Sequence, residues 1–218
     1  MSIVFKALIR VTVLVALSVA VVSQANARSD ARSWEFAVLL DGAPIGYHRF
    51  DLVPAAEGLE LVSEASFDVR VLFFNAFRYR HTTREVWDGE CLTRIESNTR
   101  QNGKRFALTG ARVDDRFVLE SEAGNDELDD CVMSLAYWNP RFLQQAKLLN
   151  PQSGEYLPVN VESLGRQEFT VRGQPVLASA YRVTARKTDL TVWYSDSFEW
   201  LGLESVAKGG RIIRYELT

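Results

Sequence analysis

The sequence contains few of the residues that build metal and redox sites. Its 218 residues include only two cysteines, Cys91 and Cys131, and two histidines, His48 and His81. The cysteines are too far apart for a Cys-x-x-Cys redox pair, and neither histidine belongs to a His-x-His or His-Glu-x-x-His zinc motif. We therefore predict no metal site and no bound cofactor.

The signatures of nucleophilic catalysis and of phosphate binding are also missing. No Gly-x-Ser-x-Gly sequence occurs, and Ser153-Gly154 falls in a predicted turn. The glycines form no phosphate loop, because Asn102-Gly103-Lys104 is typical of a hairpin tip. The sequence therefore gives no direct indication of an enzyme.

The chain has no excess of positive charge. Twenty-five Lys and Arg residues stand against 28 Asp and Glu residues, a net charge of −3. Lys6 and Arg10 lie in an N-terminal segment that we expect to be removed, which leaves 25 − 2 = 23 basic residues and a net charge near −5. Nucleic-acid binding depends on clustered positive charge and counterion release, so we predict no nucleic-acid partner.

Only one long apolar run is present, and it lies at the N-terminus. The 12 residues 11–22 follow two basic residues and precede Ala25-Asn26-Ala27, which has small residues where a signal peptidase reads the chain. This run is too short for a membrane-spanning helix, which needs about 20 residues, but it suits a secretory signal. We predict a signal peptide over residues 1–27, cleaved after Ala27, in preference to a membrane anchor. The rest, residues 28–218, should form one domain without a transmembrane segment.

Both cysteines lie in the part of the chain that we expect to be exported. In an oxidising compartment such a pair is more often bridged than free. We therefore predict a Cys91–Cys131 disulfide with a structural role. Closing a loop of roughly 40 residues would stabilise the fold by about 4 kcal/mol on the chain-entropy model.

Alternating apolar and polar residues, separated by turn sequences, predict about a dozen strands. Asp41-Gly42, Asp88-Gly89 and Asn102-Gly103 mark hairpins, and the last two suit type I′ turns, in which both central residues need positive φ. Strands that follow one another as hairpins form an antiparallel sheet, and accumulated twist makes so many strands curl. We predict a mainly β protein, with a strongly curved antiparallel sheet or half-barrel of about 10–13 strands. A two-sheet sandwich is the alternative.

Residues 131–150 are the exception to the strand pattern. Val132, Leu135 and Ala136 recur at helical spacing, and the helical pattern restarts after Asn139-Pro140. Asn is a favoured N-cap and Pro a favoured first helical residue. The pattern predicts a short helical turn, a sharp corner and a second helix ended by Asn150-Pro151, all packed against the concave side of the sheet.

An acidic segment, residues 122–130, precedes this helical insert. We predict a solvated loop whose last residue, Asp130, caps the first helical turn. Its spacing matches no EF-hand loop, so calcium binding is the less favoured interpretation.

Several motifs are recognisable as a set: DGAPIGYHRF, RYRHTTREVWDGECL, TRQNGK, CVMSLAYWNP, LLNPQSG and LTVWYSDSFEWLGLES. Together they resemble an uncharacterised family of exported Gram-negative bacterial proteins, known only as a domain of unknown function, over nearly all of the mature chain. The resemblance implies a periplasmic location and no particular activity. More distantly, the order of long hairpins, helical insert and final hairpins is similar to periplasmic half-barrels of the lipoprotein-carrier (Lol) type, which implies a fold more than a function.

His48, His81 and Glu85 are the candidates for catalysis or metal binding. Each histidine has an aromatic residue two positions away, Phe50 or Tyr79, and such neighbours share a strand face. Both imidazoles should therefore face an aromatic interior, where with Glu85 they would form a general base or a metal site. Hydrogen-bonded histidines at the edge of the core are the favoured interpretation. On the other face of the same strand, Arg78, Arg80 and Arg84 indicate a solvated outer surface rather than an anion site.

Aromatic residues are more numerous than a minimal core requires, and several lie beside the helical insert. Core filling is the simpler explanation, but some of these residues could line a cavity for an apolar or amphipathic ligand. The candidate ligand-binding residues are Tyr79, His81, Tyr137, Trp138, Phe142 and Trp193.

The sequence thus favours a periplasmic binding or carrier protein for a lipid-like ligand. A cell-envelope assembly or scaffold protein without a small ligand is the first alternative. A hydrolase or metal enzyme that uses His48, His81 and Glu85 is the second.

Overall fold

Within the residues that the structure describes, thirteen strands form one antiparallel sheet. The structure is a computed structural model, and it describes residues 31–71, 74–122, 124–186 and 188–218. The predicted signal peptide therefore lies outside the described residues. The strands are β1 (Arg32–Leu40), β2 (Ala43–Ala55), β3 (Gly58–Val71), β4 (Phe74–Asp88), β5 (Cys91–Gln101), β6 (Lys104–Val113), β7 (Arg116–Ser121), β8 (Gly124–Leu128), β11 (Asn160–Val171), β12 (Gln174–Ala185), β13 (Thr188–Tyr194), β14 (Trp200–Val206) and β15 (Ile212–Leu217). Two short strands, β9 (Lys147–Leu149) and β10 (Tyr156–Pro158), form a separate hairpin.

The spatial order of the strands departs from chain order at one place. The sheet runs β11-β12-β13-β14-β15-β1-β2-β3-β4-β5-β6-β7-β8, so the last strand pairs with the first, with Phe36 opposite Leu217. The two strands at the edges of the sheet are β8 and β11. Along the chain, β11 is therefore the next strand of this sheet after β8. Residues 129–159, which we call the plug, connect one edge to the other. The prediction of a large curved antiparallel sheet is confirmed, with 13 strands.

The main hydrophobic core lies between the sheet and the plug. Buried side chains from both halves of the sheet, such as Leu61, Phe117 and Val192, belong to one cluster with Val132 and Phe142 of the plug. A single cluster that joins strands far apart in the sheet requires the sheet to wrap around the plug. Along β5, for example, buried residues alternate with exposed ones, as in a sheet with one face on the core and one in solvent.

The plug is less helical than its sequence pattern predicts. One helix is present, a five-residue 3₁₀ helix over Pro140–Gln144, and Asn139 caps it by accepting a hydrogen bond from the backbone N–H of Arg141. The short insert and its Asn-Pro start are confirmed. The first helical turn and the continuation to Asn150 are wrong, because residues 147–149 form β9.

Backbone hydrogen bonds to other segments explain this difference. Val132 O accepts from Leu92 N of β5, and Leu149 N donates to Met133 O. The backbone N–H and C=O groups that a helix would need for its own hydrogen bonds therefore bond to β5 and β9 instead. The predicted disulfide, Cys91–Cys131, is confirmed and holds the start of the plug on β5 with a Cα–Cα distance of 4.8 Å.

Two other local predictions need correction. Part of the acidic segment 122–130 is a strand, because β8 pairs with β7, and Asp130 accepts from Arg112 instead of capping a helix. At the β4–β5 turn, Asp88 pairs with Cys91, so Gly89 is the first central residue, with φ 59°. The Asn102-Gly103 turn has φ 50° and 86°, as a type I′ turn requires.

Candidate functional site

A cavity of about 350 Å³ lies between the concave face of the sheet and the plug, and it is partly open to solvent. One wall consists of inward residues of β2, β3 and β4. The opposite wall is formed by the plug, mainly Tyr137, Trp138 and Gln152, and residues of β13, β14 and β15 complete the enclosure. The cavity exists because the plug fills only part of the concavity.

Aromatic rings form much of the cavity wall. Phe67 stacks on Tyr79 with ring centroids 5.2 Å apart, and Phe77 is also stacked with Tyr79, at 6.3 Å. Nearby, His48 stacks on Phe50 at 4.0 Å. These stacks follow from register, because β2, β3 and β4 place the rings on one face at directly opposed or i±2 positions. They hold the rings fixed, so the wall is preformed.

A row of buried polar side chains crosses the same wall. His81 Nδ1 is 2.8 Å from Thr99 Oγ1, and His81 Nε2 is 2.7 Å from Thr83 Oγ1. Thr83 Oγ1 also donates to Ser97 Oγ at 3.4 Å. A neutral imidazole donates from one nitrogen and accepts at the other, so the hydroxyls satisfy both positions of His81.

His48 has its own pair of hydroxyl partners. Its Nδ1 lies 3.2 Å from Tyr215 Oη, and its Nε2 lies 3.4 Å from Ser63 Oγ. In the sheet, His48 is opposite Ala65, which is opposite His81, so the two imidazoles lie two strands apart at the same level. Interstrand spacing puts their Cα atoms roughly 10 Å apart.

Glu85 is the only carboxylate among the described residues that line the cavity. It is buried, with 2% of its surface exposed, and its Oε2 accepts from Trp87 Nε1 at 3.1 Å. Alternation along β4 places it on the same face as His81 and Thr83. No cation is among its interaction partners in the described chain.

Burial sets the protonation of all three ionisable groups. Desolvation lowers the pKa of His81 to about 4. Desolvation, with a smaller effect of His81, also lowers the pKa of His48 well below its usual value. Burial raises the pKa of Glu85 to about 7, against the opposite effects of Ser134 and Trp87. At neutral pH both histidines are therefore uncharged, and Glu85 is partly protonated.

Four of the six predicted ligand-binding residues line the cavity: Tyr79, His81, Tyr137 and Trp138. Phe142 is fully buried and packs edge-on against Tyr137, outside the cavity lining. Trp193 lies on the face of β13 opposite Leu190 and Val192, in a second cluster where it stacks on Phe169 at 4.5 Å. The sequence alone did not show on which face of the sheet Trp193 lies.

His48, His81 and Glu85 line one cavity, yet they do not form a catalytic pair. His81 and Glu85 are four residues apart on one strand, which separates their Cα atoms by about 13 Å. Thr83 lies between them and bonds to His81. Among the described residues, no group of three or more His, Cys, Asp or Glu side chains is arranged to hold a metal ion.

The arginines of β4 lie on the outer surface, as predicted. Arg78 and Arg80 pair with Asp68, and Arg84 pairs with Glu60. These ion pairs are solvent-exposed and neutralise the outer face locally. Ion pairing therefore explains the arginines of β4, and no separate anion site is needed to account for them.

Sequence reasoning missed the hydroxyl partners of the histidines. Ser63, Ser97 and Thr99 are buried, and each lies at an inward position of its strand. In the sequence, small hydroxyl residues that alternate with polar residues are typical of a solvent-exposed strand, so this pattern did not indicate a buried site. The register of β3, β4 and β5, which only the folded sheet fixes, brings them beside the imidazoles.

These features define an open, barrel-like antiparallel β protein with an internal plug and an aromatic cavity. The sequence matches the family described as a domain of unknown function, DUF6134, over residues 36–218, and the chain belongs to that family. The resemblance to an uncharacterised family is thus confirmed.

Similarity to a solved structure supports the fold. The chain is similar to the crystal structure of a beta-barrel-like protein of the domain of unknown function DUF1849 from Brucella abortus, with a TM-score of 0.62 and 11% sequence identity. The match covers 88% of this chain and 97% of the other. A search among curated proteins finds no match. None of the helices in the described ranges is long and apolar enough to cross a membrane.

Proposed function

We propose that this protein binds a small apolar or amphipathic ligand in the cavity between the sheet and the plug, and that it acts as a carrier or binding protein. The observation that carries the proposal is the cavity itself. It is lined by fixed aromatic rings and opens to solvent, although the plug adjoins it. Protein cores are normally close-packed, with few voids larger than a water molecule, so a stable core alone does not require a cavity of this size.

The volume limits the size of the ligand. Ligand pockets typically measure about 300 to 1,000 Å³, and this cavity of about 350 Å³ is at the low end. At about 30 Å³ for each water-sized group, it accommodates on the order of ten non-hydrogen atoms. The ligand is therefore a small amphiphile or the end of a single chain, and a lipid with several long chains would not fit inside.

The test is to fill the cavity and ask whether a bound molecule disappears. Native mass spectrometry of protein purified without detergent should detect a small-molecule adduct. Ser205→Phe should abolish it, because Ser205 lines the cavity and makes only a 3.4 Å bond to the Asp189 carbonyl. Thr82→Phe is the matched control, because Thr82 is exposed on the outer face of β4. An adduct that survives Ser205→Phe, or protein that is always empty and binds no added amphiphile, would contradict the proposal.

A scaffold that pairs through its sheet edges has less support. The β11 edge is interrupted by a bulge at Ser163–Gly165 and carries exposed Glu162 and Arg166. The β8 edge carries exposed Asp126 and Glu127. Bulges and charges are the features that keep edge strands from pairing with other chains. Recovery of one stoichiometric protein in a pull-down would favour the scaffold.

We also propose that the chain is exported to the periplasm and that residues 1–27 are removed. The Cys91–Cys131 disulfide supports this, because disulfides persist in oxidising compartments. When the full chain is expressed in a Gram-negative host, intact-mass analysis should give the mass of a protein whose first residue is Arg28. Retention of residues 1–27 would contradict cleavage after Ala27.

A further inference from the structure

The β5–β6 hairpin departs from the charge pattern of the rest of the sheet. Several arginines lie directly opposite a carboxylate on the next strand and form an ion pair with it: Arg49 with Glu35, Arg78 with Asp68 and Arg214 with Glu204. Near the tip of the hairpin, Arg100 of β5 is instead opposite Arg105 of β6. Like charges in directly opposed positions destabilise a sheet, so sheet stability does not explain this pair.

The two arginines have no carboxylate near them in the sheet. The side chains of Arg100, Arg105 and the neighbouring Lys104 are exposed and form no ion pair or hydrogen bond within the described ranges. The next outward positions along the two strands are Asn98 and Ala107, which are uncharged and lie opposite each other. We call Arg100, Lys104 and Arg105 the basic tip. It concentrates positive charge at one place on a chain whose net charge is −3.

An exposed aromatic residue lies beside the basic tip. Phe106 follows Arg105 in β6 and is 38% exposed. It is opposite Thr99, which is buried on the concave side of the sheet, so Phe106 lies at the rim of that side. Basic residues together with an exposed aromatic ring are typical of protein surfaces that bind the interface of a membrane.

We infer that the tip of the β5–β6 hairpin docks the protein on a membrane surface of anionic phospholipid. The basic tip contacts lipid phosphates, and the ring of Phe106 lies among the headgroups. Three exposed cations spread over a hairpin tip match a surface that carries many phosphates better than a single enclosed anion. Gln101 follows Arg100 and lines the cavity, so docking brings this part of the cavity wall close to the lipid. The inference does not require that the cavity holds a ligand.

The experiment measures binding to vesicles by cosedimentation. The exported protein, purified from a Gram-negative host, is mixed with vesicles of phosphatidylglycerol or of phosphatidylcholine. We expect binding to phosphatidylglycerol to be at least about tenfold tighter and to weaken as sodium chloride is added. Equal binding to both lipids, or no binding to phosphatidylglycerol, would overturn the inference. Inorganic phosphate should release no more protein than sodium chloride of the same ionic strength. Greater release by phosphate would identify a discrete anion site and would also overturn membrane docking.

A matched pair of double variants tests the position of the contact. Arg100→Gln with Arg105→Gln should weaken binding to phosphatidylglycerol roughly 25-fold, at about fivefold for each charge removed near the surface. Arg94→Gln with Arg116→Gln removes the same charge from exposed positions toward the other end of β5 and β6. Arg94 lies about 20 Å along β5 from Arg100, beyond the screening length of about 10 Å. This control should therefore change binding less than about twofold. Equal losses for the two double variants would show an effect of net charge alone and would contradict docking through the tip.

The aromatic contact has a separate test. Phe106→Ser leaves every charge in place and should weaken binding to phosphatidylglycerol about three- to tenfold, because an exposed ring no longer enters the headgroup layer. Val113→Ser, at the other end of β6, removes an apolar side chain that is 53% exposed and should change binding less than about twofold. An unchanged affinity of Phe106→Ser, or an equal loss for Val113→Ser, would contradict the assigned role of Phe106.

Discussion

The polar groups on the two faces of β4 lie in opposite environments. On the outer face, Arg78, Arg80 and Arg84 remain charged and pair with carboxylates in contact with solvent. On the inner face, His81 and Glu85 are buried, and desolvation shifts the pKa of each toward its uncharged form. Alternate residues of one strand therefore lie in a charged and an uncharged environment a few ångströms apart. The comparison shows that the cavity is polar but carries much less charge than the outer face.

Hydrogen bonding makes this inner polarity tolerable. His81, Thr83, Ser97 and Thr99 form a connected set, so burial leaves the ring nitrogens of His81 satisfied. A fully satisfied buried network specifies one arrangement of the strands, whereas a broken one is costly. The inner face should therefore be much more sensitive to substitution than the outer face.

The largest expected effect comes from placing a charge of the outer-face type on the inner face. Thr83→Arg buries an unpaired guanidinium, overfills the site and breaks the bond to His81, so we expect a loss of at least about 4 kcal/mol of unfolding free energy. Thr82→Arg, the same substitution one residue earlier on the exposed face, should cost less than about 0.5 kcal/mol. Urea denaturation of the two variants measures both values. Similar losses for the two would refute the contrast between the faces.

The next effect concerns pH. Glu85 has a folded-state pKa of about 7 against an ordinary value of 4.5. The folded state therefore holds a proton that the unfolded state releases, and the free energy of unfolding falls as pH rises from 4.5 to 7. At about 1.4 kcal/mol per pKa unit, this amounts to about 3 kcal/mol.

Glu85→Gln should remove this pH dependence. His81, with a pKa lowered to about 4, works in the opposite direction, since its contribution is lost as pH falls below 6.5. The quantity to measure is therefore the difference in unfolding free energy between Glu85→Gln and the natural protein, from urea denaturation at several pH values. The unfolding free energy of Glu85→Gln, relative to that of the natural protein, should increase as pH rises toward 7. Above pH 7 it should increase no further. A difference independent of pH would mean that Glu85 is not neutralised by burial.

The sequence was sufficient to predict features that depend on local chemistry. Alternation along β4 assigned His81 and Glu85 to the inner face, and both are buried. The Asn102-Gly103 turn and the Asn139-Pro140 helix start were predictable because each depends on the conformational preferences of two adjacent residues. The disulfide followed from the number of cysteines and the predicted export.

Features that depend on contacts between distant segments were not predictable. Residues 147–149 have a helical pattern but form β9, because Leu149 bonds to Met133 and Leu135. Trp193 was predicted to bind ligand, yet the face that it occupies depends on how β13 packs on β12. Ser97 and Thr99 gave no signal, since their importance arises only when β5 pairs with β4 and sets them beside Thr83 and His81.

The smallest expected effect lies on the outer face. Arg84 Nη1 is 2.7 Å from Glu60 Oε1, and the Arg84 side chain is 59% exposed. Exposed ion pairs contribute about 0.2–1 kcal/mol and weaken with salt. A double-mutant cycle with Arg84→Ala and Glu60→Ala, followed by urea denaturation, should therefore give a coupling energy below about 1 kcal/mol that shrinks at 1 M salt. A coupling energy above about 2 kcal/mol that persists at high salt would show that this face is not governed by solvent screening. In that case the two faces of β4 would not differ because one is charged and the other neutral. They would differ only in the geometry of their hydrogen bonds.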